Sequence, residues 1–162
     1  MPPKNPHHEG NNNIELDQSE KEIKIQPEDL NIIWGEDNRY WNIKPGKAEL
    51  LQVCWLEVTG SVRCIDPKKS YRVSFNVSFM TDAFGWGVHP LYLMLKAGKD
   101  GKVEWKKIEI KEANESVNIT GDSKAQTDST GDSRLYFGLY EVWSGKWKGG
   151  LEIHHVIVKE VQ

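Results

Sequence analysis

Hydrophobic and polar residues alternate along much of the chain, which is the period-two pattern of a pleated β-strand. The alternation is clearest from Tyr71 to Phe79, where every second side chain is apolar and the intervening ones are polar. One apolar and one polar face are typical of an antiparallel sheet that is buried on one side. Trp55 shares a face with Leu51 and Val53, so we expect it in the core. The pattern predicts further strands at about residues 31–34, 48–58, 61–65, 91–96 and 102–110.

The stretch Arg134–Glu160 predicts two more strands joined by a loop. In its first half, apolar side chains occupy every second position from Leu135 to Leu139. In its second half, the apolar residues before and after His154–His155 fall on different faces, and such a phase slip predicts a β-bulge. The connecting segment SGKWKGG is too rich in glycine for a helix and too polar for the core.

Thr59-Gly60 is a turn signal between the strands expected at 48–58 and 61–65, and it predicts a hairpin. Cys54 and Cys64 flank this signal almost symmetrically, so they could lie opposite each other. Two cysteines are too few for a zinc site or a disulfide scaffold. We expect free thiols in a reducing compartment, with redox crosslinking within or between chains on oxidation.

The order of these signals predicts the fold class. No segment after residue 31 shows a convincing 3.6-residue period, so little helix is expected. About eight short strands separated by turns are typical of an all-β fold, an antiparallel jelly-roll β-sandwich. Residues 111–133 are almost all polar and are predicted to be a mobile loop. Residues 1–22 are predicted to be a disordered acidic tail, and residues 23–162 the folded domain.

Charge and hydropathy exclude several classes of protein. The 162 residues carry a net charge of −3, which argues against a general nucleic-acid binder. No apolar run approaches the roughly 18 residues of a membrane span. The chain opens without the apolar segment of a secretory signal, so we expect a cytoplasmic protein. His7-His8 supplies too few ligands for a metal site, and we expect no cofactor.

The loop between the last two strands carries candidate binding chemistry. Trp143, Lys146, Trp147 and Lys148 lie on this one turn. An indole face can stack on the C–H face of a pyranose ring, and ammonium groups can reach its hydroxyl groups. This combination is typical of a sugar-binding loop, although packing of the indoles is the alternative.

Other aromatic residues allow two interpretations. Trp34 extends an apolar run, which favours core packing. Tyr40 and Trp41 follow a polar turn and suit either the core or an exposed site. Trp86 lies between two glycines, where it either faces a ligand or plugs the open end of the fold.

Four motifs in this order resemble the plant phloem protein 2 and tobacco-agglutinin (Nictaba-like) lectin family, most of all the cucurbit phloem-exudate lectins. They are LNIIWGEDNRYW, VCWLEVTGSV, SYRVSFNVSF and LYEVWSGKWKGGLEI, and the similarity runs from about Pro27 to Val161. The resemblance implies a jelly-roll lectin, often a homodimer, that binds chitooligosaccharides and the chitobiose core of N-glycans without catalysis. It also implies the phloem sap as location and a role in defence or transport.

The resemblance also implies site residues. A Trp-turn-Tyr-Trp motif near the domain start is implicated in sugar binding in this family, which here corresponds to Trp34 and Trp41. A Glu and a Lys near the end are implicated as well, which here correspond to Glu141 and Lys148.

A more distant similarity links the last loop to the sugar-binding domain of glycoprotein-recognising F-box proteins. It implies that Trp147 stacks on the sugar, with Lys146 standing where that motif has an aromatic residue. Trp143 or Trp86 would then supply the missing ring. The predicted carbohydrate-binding residues are Trp34, Tyr40, Trp41, Trp86, Glu141, Trp143, Lys146, Trp147 and Lys148.

Two other functions are alternatives to a lectin. A glycosidase needs a pair of carboxylates flanking the scissile bond, and no acidic residue here is set in a recognisable motif. The other alternative is a phloem structural or RNA-carrying protein, crosslinked through Cys54 and Cys64, in which glycan binding is secondary. Lys146, Trp147 and Lys148 combine basic residues with an aromatic one, but over three residues only, so RNA is not expected as the main ligand.

Overall fold

The computed structural model describes residues 22–63, 69–87, 89–110, 117–124 and 134–161. Within these ranges a single 3₁₀ turn, Pro27–Asp29, accompanies the β-strands. The strands are β1 Glu22–Ile25, β2 Asn31–Ile32, β3 Trp41–Lys44, β4 Lys47–Leu50, β5 Leu56–Val62, β6 Ser70–Phe84, β7 Leu91–Ala97, β8 Val103–Ile108, β9 Val117–Lys124, β10 Leu135–Glu141 and β11 Gly149–Val161.

The strands form two antiparallel sheets. One sheet has the order β3-β4-β11-β6-β9, with β1 also paired to β11, and the other has the order β2-β5-β10-β7-β8. The apolar faces of the two sheets pack on each other, and Phe75 of β6 meets Phe137 of β10 edge to face at 5.9 Å. This arrangement confirms the predicted jelly-roll β-sandwich with little helix. In the described part of the chain, no helix is long and apolar enough to cross a membrane.

Strand β6 and the bulge in β11 follow the sequence pattern. The apolar side chains from Tyr71 to Phe79 are buried, whereas the polar ones between them are exposed or partly exposed. The pairing of β11 with β6 shifts register between Ile153 and His155, which confirms the predicted bulge. His154 lies at this shift, and its Nε2 shares a 2.7 Å hydrogen bond with the Ser78 hydroxyl group.

The hairpin predicted at Thr59-Gly60 is wrong. Both residues lie inside β5, which is buried along its whole length and pairs with β10 on one side and β2 on the other. A small residue is needed there because a Cβ at Gly60 would lie 2.6 Å from the Phe137 ring. Cys54 precedes this strand as a partly exposed free thiol, and Cys64 lies outside the described residues.

The segment predicted as one strand over residues 48–58 is divided. Strand β4 ends at Leu50, and β5 begins at Leu56. Of the side chains expected in the core, Val53 is fully buried, whereas Leu51 is 41% exposed. Trp55 is partly buried in a smaller aromatic cluster, and its Nε1 donates to Glu57 at 2.8 Å.

The loop predicted over residues 111–133 contains a strand, so that prediction is wrong for residues 117–124. Strand β9 is polar because its outer face forms a ladder of hydrogen bonds with β6 rather than a buried surface. The partners are Arg72 with Asp122 at 2.8 Å, Ser74 with Thr120 at 3.0 Å and Asn76 with Asn118 at 2.9 Å. The rest of that loop, and the predicted tail before Glu22, lie outside the described residues.

Replacing Gly60 distinguishes the observed strand from a turn. In Gly60→Ala the added methyl group meets the Phe137 ring, and overpacking of this kind costs about 1–3 kcal/mol of unfolding free energy. We expect a lower urea midpoint with an unchanged m value, whereas Glu104→Ala, at an exposed position of edge strand β8, should shift it little. A Gly60→Ala midpoint equal to wild type would contradict the buried position.

Candidate functional site

Three aromatic side chains from two segments, the β2–β3 connection and the loop before β11, form one exposed surface, here called the aromatic strip. Trp147 is 49% exposed and Trp34 is 43% exposed. The ring of Tyr40 lies between them, with its centroid 6.4 Å from that of Trp147 and 5.0 Å from that of Trp34. The Tyr40 and Trp147 planes differ by only 27°, so the two rings present nearly parallel faces.

A tight turn holds Tyr40 in place. The backbone N–H groups of Tyr40 and Trp41 both donate to the carbonyl oxygen of Asp37 at 3.0 Å. The Arg39 guanidinium group binds the Asp37 carboxylate and lies 5.2 Å from the centroid of the Tyr40 ring. Hydrogen bonds from Arg39 lower the pKa of Asp37 to about 2, so this carboxylate stays ionised at neutral pH.

Trp34 adopts a backbone conformation that is unusual for its residue type. Its φ angle is 65°, in the left-handed region that a bulky side chain seldom occupies. Holding a non-glycine residue there costs on the order of 1–3 kcal/mol. The surrounding turn sustains this strain, since Gly35 and Asp37 donate to the carbonyl oxygens of Ile32 and Trp34 at 3.0 and 3.1 Å.

Trp147 is positioned from both sides by backbone contacts. Its neighbour Lys148 exchanges two 2.9 Å backbone hydrogen bonds with Val53. On the other side Gly85 lies so close that a Cβ there would clash with the Trp147 carbonyl oxygen. The exposed side chains of Leu51 and Phe84 belong to these two flanking segments.

A buried ion pair closes the base of the loop that carries Trp147. The Nζ of Lys148 lies 2.6 Å from Oε2 of Glu141, and the two residues are 1% and 3% exposed. Lys148 also donates to the Lys146 carbonyl oxygen at 2.9 Å. The Glu141 carboxylate accepts hydrogen bonds from the backbone N–H and the hydroxyl group of Ser144, at 3.1 and 2.8 Å.

Burial alone would raise the pKa of Glu141. The hydrogen bonds from Lys148 and Ser144 outweigh it, so this pKa lies below the ordinary value of 4.5. Glu141 is therefore ionised at neutral pH even though it is buried. The pair joins the last residue of β10 to the last residue of the loop, and so links the two ends of this segment.

The structure divides the predicted site residues into three groups. Trp34, Tyr40 and Trp147 form the aromatic strip, and Lys146 is exposed on the same loop. Glu141 and Lys148 lie beneath the loop, where they bind each other. The remaining three pack elsewhere. Trp41 is buried in the core, and Trp143 joins a second aromatic cluster. Trp86 packs against Phe79, and its Nε1 donates to the Gly149 carbonyl oxygen at 2.8 Å.

That second cluster covers part of the outer face of the five-stranded sheet. Trp143 packs against Tyr92, Trp105 and Tyr140, with centroid distances of 5.1, 5.6 and 6.4 Å. Sequence reasoning missed this cluster, and it missed Arg39 and Ser144, which position the strip and the loop. The only signals were the alternation of Tyr92 with core residues in β7 and a serine three residues after Glu141.

The residues described hold no group of three or more His, Cys, Asp or Glu side chains suited to a metal ion. The exposed rings of the strip offer a ligand aromatic faces. Residues 31–38 line an open cleft with Trp34 in its wall, which adds polar atoms beside the strip.

Comparison with known proteins identifies the class to which this fold and site belong. The model of the phloem protein 2 family matches residues 20–160. The chain is 43% identical over 176 aligned residues to PHLOEM PROTEIN 2-LIKE A9 of Arabidopsis thaliana, with 98% of each chain covered. The chain therefore belongs to the phloem protein 2 family, which confirms the resemblance seen in its motifs.

A second relative and two solved structures extend the comparison. A lectin of Luffa acutangula is 36% identical over 78 residues, which cover 42% of this chain and 37% of that one. The low-affinity xylan-binding module CBM86 from Roseburia intestinalis has a TM-score of 0.51 at 14% identity, with 86% of this chain and 96% of that one covered. The C-terminal CBM6 of LamC from Zobellia galactanivorans has a TM-score of 0.50 at 10% identity, with coverages of 85% and 98%. At these identities the two structures show a shared β-sandwich fold.

Breaking the buried pair from one side should destabilise the fold. In Lys148→Met the Glu141 carboxylate stays buried without its cation, which costs about 3–5 kcal/mol of unfolding free energy. We expect the double variant Glu141→Gln/Lys148→Met to recover part of this loss in urea unfolding, because no uncompensated charge remains. Equal losses in the single and double variants would contradict the pairing.

The same pair predicts a pH dependence of stability. Because the pKa of Glu141 is lowered on folding, its contribution is fully present above 4.5 and is lost as the pH falls through 4.5 towards the lower folded value. Wild type should therefore lose more stability than Glu141→Gln between pH 6 and acid unfolding. Asp37, Glu49 and Asp122 also have lowered pKa values, but they are present in both proteins and cancel in the difference.

The strain at Trp34 predicts an unusual ranking of two substitutions. Trp34→Gly and Trp34→Ala both remove the ring, but only glycine adopts a positive φ without strain. We expect the glycine variant to be more stable than the alanine variant by about 1 kcal/mol in thermal or urea unfolding. An alanine variant of equal or greater stability would show that the turn is not held in the left-handed conformation.

Proposed function

We propose that this protein is a non-catalytic lectin that binds N-acetylglucosamine oligomers on its aromatic strip. The observation that carries the proposal is that Trp147, just ahead of the last strand, has an exposed indole nearly parallel to the Tyr40 ring. Membership of the phloem protein 2 family and similarity to a Luffa acutangula lectin support it. The chitobiose core of N-glycans offers the same chemistry as short chitooligosaccharides.

The strip can receive successive sugar rings. The C–H face of one pyranose ring stacks on Trp147, and the neighbouring ring contacts Tyr40 and Trp34. Exposed Lys146 reaches the hydroxyl or acetamide oxygens from the loop, and the cleft of residues 31–38 supplies further polar atoms. Each stacked ring contributes on the order of 1 kcal/mol beyond the area it buries.

These contacts predict moderate affinity. One or two stacked rings and a few hydrogen bonds correspond to micromolar rather than nanomolar binding of short oligomers. A homodimer that presents two strips would raise the avidity for branched or polymeric glycans. For the biological setting, we propose the cytoplasmic phloem sap of a plant, in defence or transport, on the basis of the family.

Glu141 and Lys148 serve this function indirectly. Both are almost fully buried and satisfied by each other and by the loop, so they shape the surface without contacting a sugar bound on the aromatic strip. Their arrangement also bears on catalysis. The Glu141 carboxylate is bound by Lys148 and that of Asp37 by Arg39. Both pKa values are lowered by these hydrogen bonds, so neither group is a protonated general acid at neutral pH.

Titration with chitotriose tests the proposal. We expect tryptophan fluorescence of the wild type to change saturably, and Trp147→Ala to weaken binding at least tenfold, because about 1 kcal/mol of stacking and the buried ring area are lost together. The matched control is Met80→Ala, which removes an exposed apolar side chain outside the strip and should bind like wild type.

Circular dichroism and urea unfolding would verify that both variants stay folded. A folded Trp147→Ala variant that binds chitotriose with wild-type affinity would contradict the assignment of the aromatic strip as the sugar-binding site. Incubation with chitin oligomers should yield no shorter products, and the appearance of such products would contradict the non-catalytic part of the proposal.

A further inference from the structure

A second concave feature lies beside the loop and contains none of the three strip residues. It is a pocket of about 210 Å³. Its walls come from the segment before β7, from β7 itself, from the end of β10 and from the first part of the loop. The lining residues are His89, Pro90, Tyr92, Glu141, Trp143 and Ser144.

Two rings form a rigid corner in this pocket. The planes of Tyr92 and Trp143 stand at 82° with their centroids 5.1 Å apart. Trp143 is held from behind by Trp105, again edge to face at 84°, and by Tyr140. Walls fixed in this way lose little conformational freedom when a ligand is bound.

The polar side of the pocket has unused hydrogen-bonding capacity. Within the described part of the chain, no hydrogen bond reaches the imidazole of His89, which is partly buried. The Ser144 hydroxyl group donates to Glu141 and accepts from the Lys146 N–H, which leaves one lone pair. A ligand with several hydroxyl groups can both donate and accept there.

The size of the pocket limits the ligand to a single ring. Sites for drug-sized molecules usually measure about 300–1,000 Å³. From the aromatic corner, the polar edge and this volume together, we infer that the pocket is a second sugar subsite that takes one monosaccharide. The class of ligand rests on the proposed lectin function, whereas the location does not depend on the aromatic strip.

The subsite also shares a side chain with the base of the strip. Glu141 lines the pocket and binds Lys148 beneath Trp147. Ser144, which also lines it, is held by the same carboxylate. A sugar in the pocket therefore contacts the loop whose conformation places Trp147.

Nuclear magnetic resonance of the full chain separates the two sites, because the indole N–H signals of Trp143 and Trp147 are distinct reporters. N-acetylglucosamine titrated to tens of millimolar should shift the Trp143 indole and the Ser144 amide saturably. The response should persist in Trp147→Ala, weaken at least threefold in His89→Ala and disappear in His89→Trp, whose larger ring fills the pocket. The amide spectrum of each variant reports whether it is folded.

The outcomes distinguish this inference from the proposed function. If chitotriose shifts the Trp147 indole signal but the monosaccharide does not shift the Trp143 and Ser144 signals, the second subsite is overturned and the assignment of the strip is supported. If Trp143 responds and Trp147 does not, the pocket stands and the strip is overturned. An undiminished shift of the Trp143 signal in folded His89→Trp would also overturn the subsite. If neither indole signal shifts with either sugar, both the subsite and the strip are overturned.

Discussion

The loop between β10 and β11 crosses from one sheet of the sandwich to the other, and the buried pair of Glu141 and Lys148 ties its two ends together. Glu141 is the last residue of β10, and Lys148 directly precedes β11. A buried ion pair adds little net stability over an apolar pair, because desolvation offsets most of the attraction. The pair instead acts on the conformation of the loop. With Glu141 and Lys148 bound to each other, the loop leaves Trp147 exposed.

Hydrogen bonds and an ion pair hold the segments around that loop in place. Trp86 donates to the Gly149 carbonyl oxygen, and Lys148 exchanges backbone hydrogen bonds with Val53. Arg39 and Asp37 fix the turn below Tyr40. In the proposed lectin, a surface held in this way would lose little conformational entropy on binding a sugar, which suits a ligand that offers only modest stacking energy. The strain at Trp34 fits the same pattern, because unfavourable backbone conformations persist where neighbouring contacts over-determine them.

Family membership and the structure contribute differently to this account. The family links the chain to lectin-like proteins and draws attention to Glu141 and Lys148. The structure shows that these two charges are satisfied by each other, and it places three aromatic rings above them. In the proposed lectin, Glu141 and Lys148 are therefore positioning residues, and the exposed rings are the residues that contact the sugar.

The sequence determined much of the fold because local rules governed those parts. Alternation from Tyr71 to Phe79 defined the buried face of β6, and the phase slip at His154–His155 defined the bulge, since a strand has one side chain per face in every two residues. The glycine content of SGKWKGG also predicted the loop that carries Trp147. These features depend on neighbours a few positions away.

The tertiary structure decided what depends on distant segments. Thr59-Gly60 has the composition of a turn but lies in a strand, because β5 pairs with β10 along this stretch. The Phe137 ring fills the space beside Gly60, and Thr59 fills the space beside Gly138. Strand β9 is polar because β6 supplies its partners. Trp41 and Trp147 are the same residue type beside polar turns, yet one is buried and the other exposed. Side-chain burial is set by which sheet lies above a residue, and that information is not contained in its local sequence.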